Sequence, residues 1–536
     1  MTVPRGVSSD QAEERGFAES LKSFRTIPSF FKLIWQTDKG LTLGNILLRV
    51  LQAALPLALL YIGKLIIDEV ILQSGLDVAI RDASKLWNYV GLELGLGVLS
   101  ALLGRAITLL DALLGDLFAN ATSVRLIEQA AKLDLPQFED SEFYDKMERA
   151  RQQTLGRTVL MTQILQQAQD AVTIIFLAAG LIAFNAWLLL ILVLAVIPVF
   201  FNETYFNQRT YSLTRNWTPQ RRELDYLRFI GASHETAKEV KVFGLTAFLR
   251  DRFSDLADQY YKANRILSIK RAAWGSFFNL LGDIGYYAAY VVIILQTIEG
   301  KITIGDLTFL AGSFARMRSL LQGMLSRFSN IAQRALYLRD LFDFLEMEPI
   351  IPRASKPVKV PEKIVKGFTF ENVGFKYPGA DVWVLRGLSF TLAAGEKLAL
   401  VGENGAGKTT LVKLLARMYD PSEGRILLEG VDLKEYDIEE LRSMIGVIFQ
   451  DFVRFALSAS ENIAIGKIDE RKEFDQIKNA AKQSLADEVI SKLPRGYEQM
   501  LGKRFTNGVD LSGGQWQKIA LGRAYMRDAQ LLILDE

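Results

Sequence analysis

The chain has 536 residues, of which half are hydrophobic and 23% are charged, and its mean hydropathy is +0.15. This length predicts two or more domains, and the mixture of apolar and charged residues predicts a membrane part and a polar part. The formal net charge of +2 gives no electrostatic support for a nucleic-acid partner. The absence of cysteine excludes disulfides, cysteine-based zinc sites and cysteine-protease chemistry.

The N-terminal half of the sequence is dominated by long apolar segments. Residues 1–28 are polar and lack the apolar core of a signal peptide, so we expect a cytoplasmic tail. A membrane-spanning helix needs about 20 mostly apolar residues. The segments that meet this length are 41–70, 86–114, 172–201 (two spans around a turn at Phe184-Asn185), 277–298 and 307–325. They predict an all-α membrane domain of about six helices over residues 29–346.

The charges in the connections between these segments predict how the segments are oriented across the membrane. Residues 118–157 and 203–271 are long and rich in Lys and Arg, whereas the opposite connections are short and nearly uncharged, which places the long segments and both chain ends in the cytoplasm. Both long segments have a helical composition. Each is broken by a turn-like patch, at residues 135–140 and 231–235. We therefore expect two helical hairpins that extend into the cytoplasm.

Three charged residues fall at membrane depth, where such residues are functional candidates by default. Asp283 lies in the fifth predicted span, and Arg316 and Arg318 interrupt the last one. Residues two apart on a helix point about 200° away from each other, so the two arginines cannot both face one substrate path. One lines the path, and the other pairs with Asp283 or reaches the interface. A purely structural ion pair is the competing interpretation.

A change of amino-acid composition separates the membrane part from the C-terminal part of the chain. Four prolines punctuate residues 347–366, which favours an extended linker: Pro349, Pro352, Pro357 and Pro361. From Phe368 onwards the sequence consists of short β-rich runs and turns. Residues 367–536 are therefore predicted to form a soluble α/β domain.

A phosphate-binding motif lies inside this domain. Its residues are Gly402, Glu403, Asn404, Gly405, Ala406, Gly407, Lys408 and Thr409, with Thr410 next. The apolar run 397–401 predicts a strand before the loop, and residues 410–419 predict a helix after it, which is the context the motif requires. Backbone N–H groups of such a loop converge on phosphate oxygens at a helix N-terminus. Lys408 would reach the β- and γ-phosphates and Thr409 would bind Mg²⁺, whereas the alternative is a chance match in a glycine-rich turn.

The sequence ends with two acidic residues after an apolar run. Residues 531–534 predict a buried strand, which would place Asp535 and Glu536 at the carboxyl edge of a parallel sheet, where ligands bind. There Asp535 would hold Mg²⁺ through water and Glu536 would polarise the attacking water as the catalytic carboxylate. Without the phosphate loop upstream, this pattern would indicate only an ordinary strand end.

A third motif resembles the signature of a known family. Leu511, Ser512, Gly513, Gly514 and Gln515 precede a predicted helix at 516–527, where a serine and glycine amides form an anion site. With the other two motifs, this signature resembles that of the ATP-binding cassette transporters, and the resemblance extends over nearly the whole chain. It implies that Ser512 and the amides of Gly513 and Gly514 meet the γ-phosphate of ATP bound to the other subunit.

The resemblance assigns two further residues of the α/β domain. Tyr377 resembles the aromatic residue that stacks on adenine, and Gln450 resembles the switch glutamine that contacts Mg²⁺ and the attacking water. A strand-end tyrosine and an exposed glutamine are the plain alternatives.

Six spans ahead of a cassette on one chain resemble an exporter half-transporter, of the kind that exports drugs, peptides or lipids from bacteria. The resemblance implies a dimer, more readily a homodimer than a heterodimer, that exports a substrate across the cytoplasmic membrane with ATP and Mg²⁺. It also implies that the hairpin tips are coupling helices that dock on the cassettes, the second on that of the partner. The tip residues are Asp140, Phe143 and Tyr144 in the first hairpin and His234 and Glu235 in the second. For His234, the only histidine, a polar turn residue is the plainer interpretation.

The same resemblance sets limits on the function. The segment 502–508 departs from the acidic segment that many exporters carry before the signature. The family's catalytic histidine and aspartate loop normally follow the Asp-Glu pair, so we expect this form of the chain to be truncated and not to turn over ATP normally. An ATP-gated channel or a regulatory membrane protein is the alternative function, against which the intact Glu536 argues. No residue in the sequence identifies the substrate.

Overall fold

The computed structural model describes residues 27–140, 156–184 and 217–535, together with 143, 147, 187, 197–199, 201–207, 209–210 and 212–213. The chain divides into two compact units. The first comprises Met1–Gln129 and Asp145–Glu346, and the second comprises Ala130–Tyr144 and Met347–Glu536. A short segment from the N-terminal half therefore belongs with the nucleotide-binding motifs.

The described secondary structure of the first unit is helical, with short turns between the helices. Its helices are α1 (Ile27–Thr37), α2 (Lys39–Ser74), α3 (Ser84–Lys132, which runs into the second unit), α5 (Gly156–Phe184), α6 (Thr218–Ala232), α7 (Ala237–Val242), α8 (Thr246–Ile298) and α9 (Ile304–Leu345), with a 3₁₀ turn at Val78–Ile80. Capping side chains fix the N-termini of two of these helices. The Asp38 carboxylate accepts a hydrogen bond from the Leu41 amide at 2.8 Å, and Thr303 and Asp306 form a reciprocal capping box at the start of α9.

Four of these helices are long and apolar enough to cross a membrane. They are Lys39–Ser74, Ser84–Lys132, Val159–Ala183 and Thr246–Ile298, and they coincide with four of the predicted spans. The second half of the predicted 172–201 segment lies mostly outside the described residues. The last predicted span is helical in α9 but does not reach this hydropathy, because Arg316 and Arg318 interrupt it. Outward-facing leucines such as Leu94 and Leu280, which are 69% and 58% exposed, suit helices that face lipid.

A buried apolar cluster joins α5, α8 and α9. Its members are Leu177, Leu181, Ala289, Ile293, Phe309, Leu310, Phe314, Met317 and Leu320. These residues recur at helical spacing on each helix, so each helix turns one apolar face inward.

The second unit contains two sheets. The strands are β1 (Phe368–Phe375), β2 (Leu385–Leu392), β3 (Glu423–Leu428), β4 (Val431–Asp432), β5 (Ile445–Ile448) and β6 (Leu531–Leu534). The first four pair antiparallel in the order β2-β1-β3-β4, whereas β5 and β6 pair parallel with Ile448 opposite Leu534. The strands confirm the predicted α/β character of this part.

Helices pack around these sheets in two apolar cores. The helices are α4 (Leu135–Phe138), α10 (Lys408–Leu415), α11 (Ile438–Ser443), α12 (Ala459–Ala464), α13 (Phe474–Gln483), α14 (Asp487–Ile490) and α15 (Gly513–Met526), with 3₁₀ turns at Leu433–Glu435, Ile465–Glu470 and Gly496–Glu498. One core lies between the antiparallel sheet and α10, around Phe370, Leu414 and Leu428. The other surrounds the fully buried Trp516 of α15.

Two predictions about strands are wrong. The apolar run 397–401 predicts the strand before the phosphate loop, but these residues are irregular, and Val401 is 95% exposed. An apolar run becomes a strand only when a neighbour pairs with it, and β5 and β6 pair with each other without it. The run 531–534 does form β6, but it is not buried, because Leu532 and Leu534 are exposed along one face.

The linker is held by one buried cation. The Arg417 side chain is 1% exposed, and its guanidinium donates to the carbonyl oxygens of Pro352 at 2.8 Å and Tyr436 at 3.2 Å. Since a buried guanidinium needs several acceptors, these bonds fix the entry to the nucleotide domain.

Candidate functional site

The phosphate loop joins the irregular segment to α10. Gly405 and Gly407 adopt φ values of +87° and +89°, and a Cβ on Gly407 would lie 2.8 Å from the Leu385 side chain. Only glycine fits both the left-handed backbone and this close approach. The loop curls around the Lys408 ammonium, which donates to the carbonyl oxygens of Gly402 at 2.7 Å and Glu403 at 3.1 Å. The strand–loop–helix prediction is thus right for the loop and for the presence of a helix, but the helix runs over Lys408–Leu415 and not over residues 410–419.

Tyr377 lies beside α10 in a cluster of aromatic residues. Its hydroxyl pairs with the Thr410 hydroxyl at 3.0 Å, and its ring packs edge-on against Phe375 and Tyr419 at centroid distances of 5.0 and 5.5 Å. The Lys413 ammonium lies 5.5 Å from the centroid of the Tyr377 ring. The ring is half-buried, so contacts on several sides fix its orientation.

The parallel pair β5–β6 brings two predicted residues to one edge. Gln450 follows β5, Asp535 follows β6, and the Asp535 amide donates to the Ile448 carbonyl oxygen at 2.9 Å. Asp535 is 7% exposed, and its Oδ2 is buried without a hydrogen-bond partner among the described residues. Gln450 is exposed. Glu536, the predicted catalytic carboxylate, lies outside the described residues.

The signature residues form the exposed start of α15. Ser512 is the N-cap: its hydroxyl accepts from the Gln515 amide at 3.4 Å, and the Gln515 side chain accepts from the Ser512 amide at 2.9 Å. Gly513 and Gly514 border open space, whereas Leu511 is buried. The free N–H groups of this helix end therefore point towards solvent, where an anion can reach them.

Sequence reasoning missed Arg523, which joins the signature helix to the segment after Gln450. Its guanidinium donates to the carbonyl oxygens of Val453 at 2.8 Å and Asn462 at 3.0 Å and to the Asn462 side chain at 2.8 Å, and it lies 5.0 Å from the centre of the Phe455 ring. Burial lowers the pKa of Arg523 to about 10. An arginine among the apolar residues of this helix was the only signal in the sequence, and it did not name a partner.

The first hairpin tip belongs to the same compact unit as the phosphate loop. The sequence predicts a turn at 135–140, but this patch contains the single-turn helix α4, with Pro136 in its first turn. Asp134 accepts from the Ile351 amide at 2.9 Å, and the Gln137 side chain donates to the Glu348 carbonyl oxygen at 3.1 Å. Of the predicted tip residues, Asp140 is exposed, Phe143 is 3% exposed, and Tyr144 lies outside the described residues.

The second tip lies in the first unit between α6 and α7. His234 and Glu235 are both exposed in the turn, and the Thr236 hydroxyl donates to the Ile230 carbonyl oxygen at 2.6 Å to close it. Val242 and Phe243, just beyond, are 79% and 70% exposed. The tip thus presents polar and apolar groups to its surroundings.

The structure separates the two arginines that were predicted at membrane depth. Arg318 pairs with Asp283 at 2.5 Å and also donates to the Asn279 carbonyl oxygen at 3.4 Å. Arg316 is exposed on another face of α9. The ion pair between Arg318 and Asp283 agrees with both interpretations of these charges, because each of them allows one arginine to pair with Asp283.

A buried polar network across four helices was missed. On α2 and α3, Arg49 pairs with Asp111 at 2.6 Å, and Asn45 donates to the same carboxylate at 2.7 Å. On α5, Gln166 and Gln169 accept from the other side of the Arg49 guanidinium at 3.1 and 2.9 Å.

The network continues to α9 through a second ion pair. The Gln166 side chain donates to Asp170 at 2.8 Å, and Asp170 pairs with Arg327. Two cations and two carboxylates thus neutralise each other inside the helical unit. Isolated charges within the apolar segments were the available signal, but hydropathy averaging concealed them.

Comparisons with known proteins decide the family. A family model described as ABC transporter matches residues 385–536. The subtilin transport ATP-binding protein of Bacillus subtilis is 28% identical over 98% of this chain and 84% of its own length. The ATP-dependent lipid A-core flippase of Alkalilimnicola ehrlichii is 33% identical over 69% of this chain and 61% of its own length.

A solved structure agrees with these sequences. The structure of a bacterial Atm1-family ABC exporter with ATP bound matches with a TM-score of 0.73 and 25% identity, covering 93% of this chain and 85% of the other. The chain belongs to the ATP-binding cassette transporter family. As an exporter-type half-transporter, this ABC protein is an integral membrane protein that binds ATP and couples ATP hydrolysis to export.

Proposed function

We propose that two copies of this ABC half-transporter form composite ATP sites. In each site the phosphate loop of one subunit would cradle the phosphates, with Lys408 exchanging its loop carbonyl partners for phosphate oxygens. The exposed Ser512 and the amides of Gly513 and Gly514 would complete the site of the other subunit. The observation that carries this proposal is the open helix end of α15, where Gly513 and Gly514 border empty space and their amides have no hydrogen-bond partner among the described residues.

The residues of this site suit Mg²⁺. Oxygen ligands are what this ion prefers, and the buried Oδ2 of Asp535 has no hydrogen-bond partner within the described residues. Asp535, directly or through water, and the Thr409 hydroxyl would hold the ion, and Gln450 would approach it from the neighbouring strand end. Bound Mg²⁺ would neutralise charge on the β- and γ-phosphates. Glu536 would then polarise the attacking water.

The absence of cysteine allows a direct test of the composite site. Asn404→Cys and Ser512→Cys on the same chain should form an inter-subunit disulfide in oxidant when ATP and Mg²⁺ are present. Lys408→Ala in the same background should abolish this disulfide. A disulfide that forms equally without nucleotide, or never forms, would contradict the composite homodimeric site. A requirement for a second, different half-transporter chain would indicate a heterodimer.

The two hairpin tips are the proposed contacts through which the membrane domain and the cassettes couple transport to ATP hydrolysis. The first tip, with Asp140, Phe143 and Tyr144, would act within its own subunit, which its position in the second compact unit supports. The second tip, with His234 and Glu235, would dock on the partner's cassette, and its exposed Val242 and Phe243 offer the apolar surface for this. Arg316, exposed on α9, is the better candidate for the substrate path, since Arg318 is already paired with Asp283.

We propose a peptide as the substrate, exported across a bacterial cytoplasmic membrane. The observation that carries this is coverage: the relatives named for subtilin and nisin transport match over 98% of the chain, membrane domain included, whereas the lipid A-core flippases match over 69–71% of it. Substrate choice is made in the membrane domain, so similarity there carries the argument. Stimulation of the full-length protein's ATPase activity by subtilin or nisin but not by lipid A would support a peptide substrate. Stimulation by lipid A alone would contradict it.

A further inference from the structure

The first hairpin tip ends in a carboxylate that contacts two side chains of the nucleotide domain. Glu139 follows α4, and its Oε1 accepts from the Lys413 ammonium at 2.8 Å. Its Oε2 accepts from the Tyr419 hydroxyl. All three residues belong to the second compact unit. The Lys413 side chain is only 19% exposed and that of Glu139 is 40% exposed, so the contact is partly shielded from water.

Both partners of Glu139 pack against Tyr377. The Lys413 ammonium lies 5.5 Å from the centre of the Tyr377 ring and 5.8 Å from that of Tyr419, and the two rings meet edge to face at 5.5 Å. The hydroxyl of Tyr377 pairs with Thr410, two residues after Lys408. Glu139 therefore contacts the side chains that hold the Tyr377 ring, although it does not contact the ring itself.

Protonation states keep this arrangement intact at neutral pH. Burial opposes ionisation of Glu139, but hydrogen bonds from Lys413 and Tyr419 hold its pKa below the usual range. Burial and the hydrogen bond to Glu139 raise the pKa of the Tyr419 hydroxyl well above its usual value. The carboxylate stays charged and the phenol stays protonated, so both bonds persist.

We infer that Glu139 is a positioning residue for the base of the nucleotide: by fixing Lys413 and Tyr419, it holds the Tyr377 ring in the orientation on which adenine stacks. The inference rests on the proposed role of Tyr377 in the ATP site. A cation paired with a carboxylate and placed beside a ring leaves that ring less free to tilt than an unpaired lysine would. By linkage, a base stacked on Tyr377 favours the docked tip as much as the docked tip favours the base. Binding of the nucleotide base is thereby coupled to docking of the first hairpin tip in the same subunit.

The test compares two ligands that share phosphates but differ in the base. MgATP and the magnesium complex of inorganic tripolyphosphate both meet the phosphate loop, but only ATP offers a ring to Tyr377. For Glu139→Gln in the otherwise unaltered protein, we expect the Kd of MgATP to rise about fivefold or more. The Kd of the tripolyphosphate complex should stay within about twofold, because the variant leaves the loop untouched. Equal weakening of both ligands, or of neither, would show that Glu139 only anchors the tip and would overturn the inference.

Two further variants separate this inference from the proposed function. Tyr377→Ala should weaken ATP selectively, and Glu139→Gln added to Tyr377→Ala should cause no further loss. If Tyr377→Ala leaves ATP binding unchanged, the adenine role of Tyr377 and the inference both fail. If Tyr377→Ala is selective and Glu139→Gln is not, only the inference fails. Glu371→Gln, which removes an exposed pair with Arg425 in the same domain, is the matched control and should change neither Kd.

Discussion

Removal of one charge from the buried network of the membrane domain should be far more harmful than removal of an exposed one. Asp111→Asn leaves the Arg49 guanidinium, 4% exposed, with only neutral acceptors inside the helical unit. The loss of one partner of a buried ion pair costs about 3–5 kcal/mol, because the remaining charge stays desolvated. Asp225→Asn is the matched control: its pair with Arg228 is exposed by 64–70%, and such pairs contribute about 0–1 kcal/mol.

The assay is denaturant-induced unfolding in detergent micelles, followed by tryptophan fluorescence. The double variant Arg49→Met/Asp111→Leu should lose less free energy of unfolding than Asp111→Asn, because no buried charge then remains. If Asp111→Asn is as mild as Asp225→Asn, or if the double variant is the worst of the three, Arg49 and Asp111 are not a desolvated pair.

Three more predictions concern the nucleotide domain. Gly407→Ala should destabilise the phosphate loop by about 1–3 kcal/mol and weaken ATP binding at least tenfold, because the φ of Gly407 is +89° and the Leu385 side chain is too close. Gly63→Ala, in an open helical position, is the control and should change neither quantity. Thermal unfolding and nucleotide titration measure the two effects. Arg523→Met leaves three oxygen acceptors without their donor and should cost about 2–3 kcal/mol in the unfolding of this domain, which an unchanged midpoint would contradict. Because the pKa of Glu139 is lowered on folding, its stabilisation of the first tip is complete well above pH 4.5 and is lost as the pH falls below that value. Hydrogen exchange of residues 130–140 should therefore accelerate in acid for the wild type relative to Glu139→Gln at the same pH. Identical exchange profiles of the two proteins would refute this.

The sequence was most informative where chemistry is local. Gly405, Gly407 and Lys408 form one loop, and Ser512 with Gln515 forms one helix cap, so neighbouring residues carry each motif. The parallel pairing of β5 and β6 is not local: the apolar run 531–534 was enough to place Asp535 at a strand end, but Gln450 was assigned only through the family resemblance. The family resemblance joined these pieces into one site.

Long-range contacts were out of reach. Glu139 and Lys413 are 274 positions apart, and Asp170 and Arg327 are 157 apart, so no periodicity relates them. Hydropathy averaging passed over Arg49 and Asp111 because the apolar residues around each of them outweigh its charge. The run 397–401 shows the opposite failure: its apolar character predicts burial, but whether a partner strand pairs with it is decided elsewhere in the chain.

The central claim, ATP-driven export by this half-transporter, is tested most directly by peptide uptake into inside-out membrane vesicles that carry the full-length protein. The account predicts uptake that requires ATP and Mg²⁺, is absent with a non-hydrolysable ATP analogue, and is abolished by Lys408→Ala. Uptake that continues with the analogue or in the Lys408→Ala protein would contradict it, since export would then not depend on hydrolysis at this site.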